Sequence, residues 1–361
     1  MHKALTPKIY NGRDYTIRMG HRQPALALIV PLVTIFLLAA CSAVPGIGAP
    51  PTVKIGLVAP FEGLHRPLGY EALFAVKLAL QERNQAGGLK GYRVELVALN
   101  DFDEPAKAVT QARALIADPD VLGVVGHLSA ATTEAALPVY EEAKMAVSVP
   151  WTTAATNRAD GAVSIAADLN ETEDHLAEVM QATGYTNVIR LASEIIPASG
   201  DIQAVELVTD GVTAGEIVLT LQNSGISLPV FGQVDVGSPQ LLQVAKDAAN
   251  GLTYVSPGPA PTDIDAAGFV VSYGALAGFP PGPRAVLAYD AANVLLDGIE
   301  QAMPANGSPP TRTDVRRIIN TVRRRGLSGD IAFDTQGRRI EAPVWLYRIF
   351  NEEYPGELLA P

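Results

Sequence analysis

Three hydroxyl residues, Ser129, Thr132 and Thr133, follow Gly126 at the end of a short apolar run formed by Leu122, Val124 and Val125. A run of that kind suits a buried parallel strand, and the pattern after it predicts a helix over 134–143. The turn between them is rich in Gly and hydroxyl groups. Free backbone N–H groups and the positive end of a helix dipole collect at such a turn, which makes a seat for a carboxylate or phosphate. The same residues also serve as a plain Ser/Thr helix cap, and this stretch alone leaves both readings open.

No other group of residues points to bond-making chemistry. His2 and His21 lie in a basic leader, and His65, His127 and His175 have no metal-ligand spacing to another donor. His127 follows the key Gly, where it could touch a ligand or pack as a capping imidazole. There is no Gly-x-Ser-x-Gly nucleophile turn and no Walker phosphate loop. Asp101 and Asp103, just before Pro105, read as turn and helix-start residues. Arg323, Arg324 and Arg325 close a helix predicted over 314–325, where cations complement the dipole. These readings leave no expected cofactor, metal or catalytic residue.

The chain has 361 residues and opens with a basic leader, Lys3, Lys8, Arg13, Arg18 and Arg22. An almost wholly apolar stretch, 24–40, follows and ends in Leu38-Ala39-Ala40-Cys41. A basic region ahead of a short apolar one is a secretory signal, and the stretch is marginal as a membrane span. Its end resembles a bacterial lipobox, so residues 1–40 are expected to be removed and Cys41 to carry lipid. Cys41 is the single cysteine, which excludes a disulfide within one copy. Beyond residue 40, 22 Lys/Arg face 37 Asp/Glu, a net charge of −15. Such a surface offers no footprint for nucleic acid. Residues 41–52 hold several prolines and glycines and read as a linker.

From there strands and helices alternate: strands over 53–60, 92–100, 121–125 and 146–149, with helices over 70–84, 105–117 and 134–143. Gly87-Gly88 stops the first helix. The spacing is that of βαβ units, hence a parallel sheet with right-handed crossovers. Ligands of such sheets bind beyond the carboxyl ends of the strands, where the loops 61–69, 126–133 and 150–156 converge.

Several short motifs now add up. Val53-Lys54-Ile55-Gly56-Leu57-Val58-Ala59-Pro60-Phe61-Glu62-Gly63 is followed by Gly69, Asn84, Gly87-Gly88-Leu89-Lys90-Gly91 and Asn100-Asp101. Gly126-His127-Leu128-Ser129, Pro150-Trp151-Thr152-Thr153, Tyr289-Asp290-Ala291 and Gly329-Asp330-Ile331-Ala332-Phe333-Asp334 complete the set. In this order the chain resembles the leucine/isoleucine/valine-binding, type I periplasmic-binding family of ABC-transporter solute-binding proteins. The resemblance implies an α/β protein of two doubly wound parallel-sheet lobes joined by a multi-strand hinge. Lobe 1 would take 53–164 plus 254–327, and lobe 2 would take 165–253 plus 328–355.

It also implies a ligand site between the lobes. The carboxylate of an amino acid would sit on amide and hydroxyl groups at Ser129, Ala130, Ala131 and Thr132 and at the Trp151-Thr152-Thr153 turn. Ala130 stands where better-known members carry Ser. Leu68 joins the set from the first loop. For the ammonium end, Val234 replaces an expected Glu, and the adjacent Asp235 could serve or stay in solvent. Arg284 falls near a position that often presents an aromatic to the cleft. There it would favour an acidic solute, or it could be a surface residue after Pro280-Pro281-Gly282-Pro283.

One departure is large. After a helix over 172–182 and a strand over 188–191, the family pattern expects a helix, a strand and another helix. This chain passes through 193–201 straight to a strand over 204–208, so the second lobe reads as shortened. The helix over 214–223 and strand over 229–231 resume the pattern. The function implied is reversible capture of a small solute, with a membrane-bound ABC permease as partner and a lipid anchor at the membrane. A sensor module on the same fold, or a non-binding relative, would have the same outline.

Overall fold

Alternate residues of the first strand feed two different cores. The computed structural model describes residues 50–151, 160–193 and 201–360. In β1 (Thr52–Ala59), Val53, Ile55 and Leu57 pack on one side, while Val58 packs on the other. Gly56 is small by necessity, since a Cβ there would stand 2.5 Å from a Leu115 methyl. β1 is the second strand of a five-stranded parallel sheet. Its order is β2 (Arg93–Asn100), β1, β3 (Val121–Val125), β4 (Ala146–Val149) and β5 (Ala162–Ser164).

Helices cover both faces of this sheet. On one lie α1 (Arg66–Gln85) and, later in the chain, α8 (Pro283–Ala302), most of whose residues are buried. On the other lie α2 (Pro105–Ala117) and α3 (Ala130–Glu142), through Ala108, Ala112, Leu115, Ala136, Leu137 and Tyr140.

The second sheet has six strands. β6 (Val188–Leu191), β7 (Ala204–Leu207), β8 (Val230–Gly232) and β9 (Thr253–Ser256) run parallel. β12 (Trp345–Phe350) and β13 (Glu353–Ala360) extend it antiparallel beyond β9. Helix α4 (Leu169–Ala182) packs Leu176 and Met180 into the core that holds Ala204, Phe231 and Val255. Helices α5 (Gly211–Asn223) and α6 (Pro239–Ala245) pack on Val205, Leu207 and Tyr254, the opposite set of the same alternation. Helix α7 (Ala267–Ala277) and the seven-residue α9 (Arg312–Ile318) complete the first lobe.

Two lobe boundaries move. β9 belongs to the second sheet, so the chain leaves that lobe after Ser256 and not at 254. The returning segment joins the second sheet at Trp345, not at 328. Before that it is held against the first sheet's edge: the Ser164 N–H donates to Gly337 O at 2.9 Å, and a Cβ on Gly337 would meet Ala162 O at 2.0 Å. Asp290 of α8 fixes the same crossing, accepting from the Leu327 and Ser328 amides at 2.9 and 2.8 Å and from the Ser328 hydroxyl at 2.6 Å. The shortened stretch expected at 193–201 lies mostly outside the described residues.

The helix expected over 314–325 ends early. α9 stops at Ile318, a single 3₁₀ turn runs Ile319–Thr321, and Arg324 and Arg325 stand in the hairpin of β10 (Arg324–Gly326) and β11 (Gly329–Ile331). Their cations pair with Asp297 at 2.7 Å and Asp330 at 3.3 Å, and complement no helix end.

Candidate functional site

The carboxyl ends of both sheets open onto one cavity of about 460 Å³. From the first lobe come Pro60 after β1, Asp103 after β2, and Leu128 and Ser129 after β3. From the second come Thr209 and Asp210 after β7, and Gln233, Val234 and Asp235 after β8. A cleft at that end is where strand-end loops leave side chains free of the sheet.

Local rules place each of these residues. Ser129 is the N-cap of α3; its Oγ accepts from the Thr132 amide at 3.4 Å and lies 2.8 Å from Thr132 Oγ1. Thr133 Oγ1 donates to Ser129 O at 2.7 Å, and the Thr133 amide donates there too, at 3.0 Å. Asp210 caps α5 in the same manner, accepting from Val212 N at 2.8 Å, Thr213 N at 3.1 Å and Thr213 Oγ1 at 2.9 Å. Partial burial works to raise its pKa, but these donors outweigh that and hold it below the usual carboxylate value.

Arg284, the second residue of α8, is only 4% exposed. Its guanidinium carbon sits 3.5 Å from the centre of the Trp151 ring, a cation–π stack in a desolvated site. Nη1 donates to Leu128 O at 3.5 Å, and Nη2 lies 3.7 Å from Asp235 Oδ1. Trp151 Nε1 donates to the same Asp235 oxygen at 3.3 Å. Asp235 is thus a second-lobe carboxylate reaching two first-lobe side chains. Behind the arginine, Glu71 accepts from the Ala285 amide at 2.9 Å. Burial pushes the Glu71 carboxyl above its ordinary pKa, against the pull of that bond and of the Arg284 charge. Arg284 is therefore a buried cation already flanked by carboxylates, and not a surface residue of the proline turn.

Asp103 is neither a helix cap nor a plain turn residue. Its backbone is left-handed (φ 61°), and its carboxylate lines the cleft 3.5 Å from His65 Nε2. Burial raises its pKa. The Ser129 hydrogen bond and the His65 charge oppose the rise, and the charges of Asp101 and Asp235 add to it. Asp101 is buried and does not open on the cleft; its Oδ2 lies 2.8 Å from Nδ1 of His127, whose Nε2 lies 3.3 Å from the Tyr140 hydroxyl. His127 is a packed imidazole.

Of the residues expected at the site, Leu68, Ser129, Asp235 and Arg284 line the cleft. Ala130, Ala131 and Thr132 do not, because α3 begins at Ala130, four residues before the expected start. Those positions turn into the helix, and the Thr132 hydroxyl is spent within the cap. Among the described residues the Ala130 and Ala131 amides have no protein acceptor. Trp151 is buried beneath Arg284 and does not line the cleft itself. Thr152, Thr153 and Cys41 lie outside the described residues. Sequence reasoning missed His65, Asp103, Asp210, Ser238 and Gln240. Only Asp210 carried a local signal, an Asp before Gly at the head of an apolar helix.

Three buried polar atoms of the cleft-lining residues have no partner among the described residues: Ser238 Oγ, Gln240 Oε1 and Arg284 Nε. Gln240 spends its amide nitrogen across the cleft on Leu64 O, at 3.3 Å, and leaves its oxygen free. Buried polar groups are nearly always paired; among the described residues five further open atoms lie on Ser148, His175, Arg316, Arg324 and Trp345, none of which lines the cleft.

Comparison with known proteins places this geometry among relatives. The model of a family described as periplasmic binding protein matches residues 52–200 and 196–353. The chain is similar to the leucine-, isoleucine-, valine-, threonine- and alanine-binding protein of Pseudomonas aeruginosa. The two are 25% identical over 332 residues, 79% of this chain and 87% of that protein. Its fold is shared by a leucine binding protein of Thermotoga maritima (TM-score 0.75, 21% identity, 86% of this chain and 98% of that one). A branched-chain amino acid transporter substrate binding protein of Streptococcus pneumoniae, solved with isoleucine, shares it too (TM-score 0.74, 18% identity, 86% and 100%).

Proposed function

We propose that this chain, which belongs to the periplasmic binding protein family, binds an amino acid or a closely related solute in its inter-lobe cleft and passes it to an ABC permease. The observation that carries this reading is the set of buried atoms around the cleft, donor and acceptor together, that have no partner among the described residues. Arg284 Nε needs an acceptor, as a carboxylate supplies. Gln240 Oε1 needs a donor, as an ammonium supplies. A zwitterion brings both. The names of the Pseudomonas and Streptococcus relatives support the same class of ligand.

The work of the protein is then reversible capture. Loops from both lobes touch the solute, so it favours the closed arrangement by its differential contacts there. Leu68, Ser129, Asp235 and Arg284 are the ligand-contacting residues of this reading, with Trp151 holding Arg284 in place. Cys41 carries the lipid, and the folded body stands outside the cytoplasmic membrane on the tether 41–52.

Differential scanning fluorimetry of the body from residue 50, against amino acids, amides, dipeptides and short carboxylates, tests the reading. A ligand present at about 100 times its Kd adds about 2.7 kcal/mol to stability. At least one compound should therefore raise the melting temperature in a dose-dependent way, and Arg284→Met should abolish the response. A flat response across the whole panel refutes solute binding. Mass spectrometry of the membrane fraction, comparing the wild type with Cys41→Ser, tests the anchor.

A further inference from the structure

The cleft is charged the wrong way for a neutral or acidic guest. Among the described residues, Asp103, Glu173, Asp210 and Asp235 line it, against a single guanidinium, Arg284, and His65. Two of these carboxylates are already matched: Asp235 by Arg284, and Glu173 by Arg190 at 3.6 Å. Asp103 and Asp210 have no lysine or arginine partner among the described residues. Asp210 rests on neutral N–H and O–H donors alone, and Asp103 has only His65 and Ser129. One of the two belongs to each lobe, so closing the cleft brings unbalanced negative charge onto both sides of whatever lies within. The free Gln240 Oε1, on a side chain 4% exposed, is a third group that only a donor can satisfy. Arg284 does not reverse this balance, since Asp235 and Glu71 flank it.

We propose that the cleft selects a solute with more positive than negative charge: an amino acid carrying a second ammonium or a guanidinium, or a short diamine. This rests on the solute-binding reading above and narrows it. The solute's carboxylate, where it has one, meets Arg284, and its two cationic groups meet Asp103 and Asp210, with Gln240 Oε1 accepting a further N–H. Such a preference departs from the neutral amino acids in the names of the relatives.

Isothermal titration of the body from residue 50 with lysine, arginine, putrescine, leucine and glutamate decides it. Lysine, arginine or putrescine should bind at least 10-fold more tightly than leucine or glutamate, and that affinity should weaken as salt rises. Asp103→Asn and Asp210→Asn remove charge while keeping the backbone. Asn tolerates the left-handed conformation at 103 and caps a helix as well as Asp at 210. Each should weaken the basic solute at least 5-fold, and the one that meets the side-chain cation should weaken leucine far less than the basic solute, while Glu216→Gln, exposed on α5, should do nothing. Leucine or glutamate binding as tightly as the basic solutes, or indifference to both Asn variants, overturns the charge preference and leaves solute binding intact. Binding of nothing in the panel by a protein with unchanged circular dichroism overturns both.

Discussion

Arg339 fastens the first hinge crossing to the last, and its removal has a calculable cost. The side chain is 3% exposed, and all five of its N–H groups are used. Nε donates to Asp330 O at 3.0 Å, Nη1 to Ile165 O at 3.1 Å and to Ser328 Oγ at 2.9 Å, and Nη2 to Ser328 O at 2.9 Å and Asp330 O at 2.8 Å. Ile165 is on the first crossing between the lobes; Ser328 and Asp330 are on the last. Arg339→Met fills similar volume but takes this donor from the buried Ile165 and Ser328 carbonyls and from the more open Asp330 carbonyl, and leaves Asp290 without its nearby cation. Removing one partner of such a buried charged cluster costs about 3–5 kcal/mol, less than five separate bonds would sum to. The body Pro50–Pro361 has an unfolding entropy of about 0.65 kcal/mol/K at about 2.1 cal/mol/K per residue, so the melting temperature should drop by about 5–8 °C. Arg339→Lys keeps the charge but offers three donors from one point, and should recover less than half of the loss. Thermal and urea melts followed by circular dichroism check both values. A drop under about 2 °C for the Met variant refutes the view that this guanidinium holds the hinge strands together.

Three further perturbations follow from the same structure. Gly69→Ala would push a Cβ to within 1.9 Å of the Pro60 carbonyl oxygen, driving α1 off the end of β1. A urea midpoint lowered by the equivalent of about 2–3 kcal/mol is expected, and an unchanged midpoint would mean the helix can slide. Glu71 sits above its ordinary pKa because it is buried, so between its unfolded and folded values the folded protein binds more protons than the unfolded one. Stability from this group therefore falls as pH rises from about 4.5. Glu71→Gln should flatten the urea-midpoint profile above that pH, and parallel profiles for the two proteins would refute the assignment. Trp151→Phe keeps a ring under Arg284 but deletes the N–H to Asp235, freeing that loop. Ligand dissociation in stopped flow should quicken several-fold, with the melting temperature of the unliganded protein shifting by under about 3 °C.

Much of the fold was legible in the sequence, and most of the helix-boundary misses share one cause. The helix Pro105–Ala117 and the strands Ala146–Val149 and Val188–Leu191 match the expected spans. Four other helices begin three or four residues earlier than their apolar pattern: at Arg66, Ala130, Leu169 and Gly211. Their first turns are set by caps and a proline: Ser129, the Asp168–Glu171 capping box, Asp210 and Pro67. A hydrophobic period cannot register such a turn, because the turn satisfies backbone donors and buries little. The opposite error arose near residue 322, where a buried Val322 continues the apolar pattern after the α-helix has ended. At the site, the strand-end loops were locatable from the βαβ spacing. The state of Arg284 was not, because the ring and carboxylates around it come from residues 71, 151 and 235, brought together only by the crossovers.

The two polar clusters of the molecule differ in a way that separates structure from function. In the hinge, Arg339 uses every donor it has, and Asp290 accepts three bonds while fully buried. In the cleft, Ser238, Gln240 and Arg284 are equally buried, yet each keeps an atom with no partner among the described residues. The same fold evidently can complete a buried guanidinium's bonds. Each open atom costs about 1–3 kcal/mol while it stays unpaired. A guest that supplies three partners recovers that amount on binding, over and above the apolar area it buries. The cost also keeps the empty, closed cleft from being a deep minimum, so closure remains tied to occupancy. The complete bonding of Arg339 ties the first crossing to the last, and the open atoms around the cleft leave partners for a solute to supply.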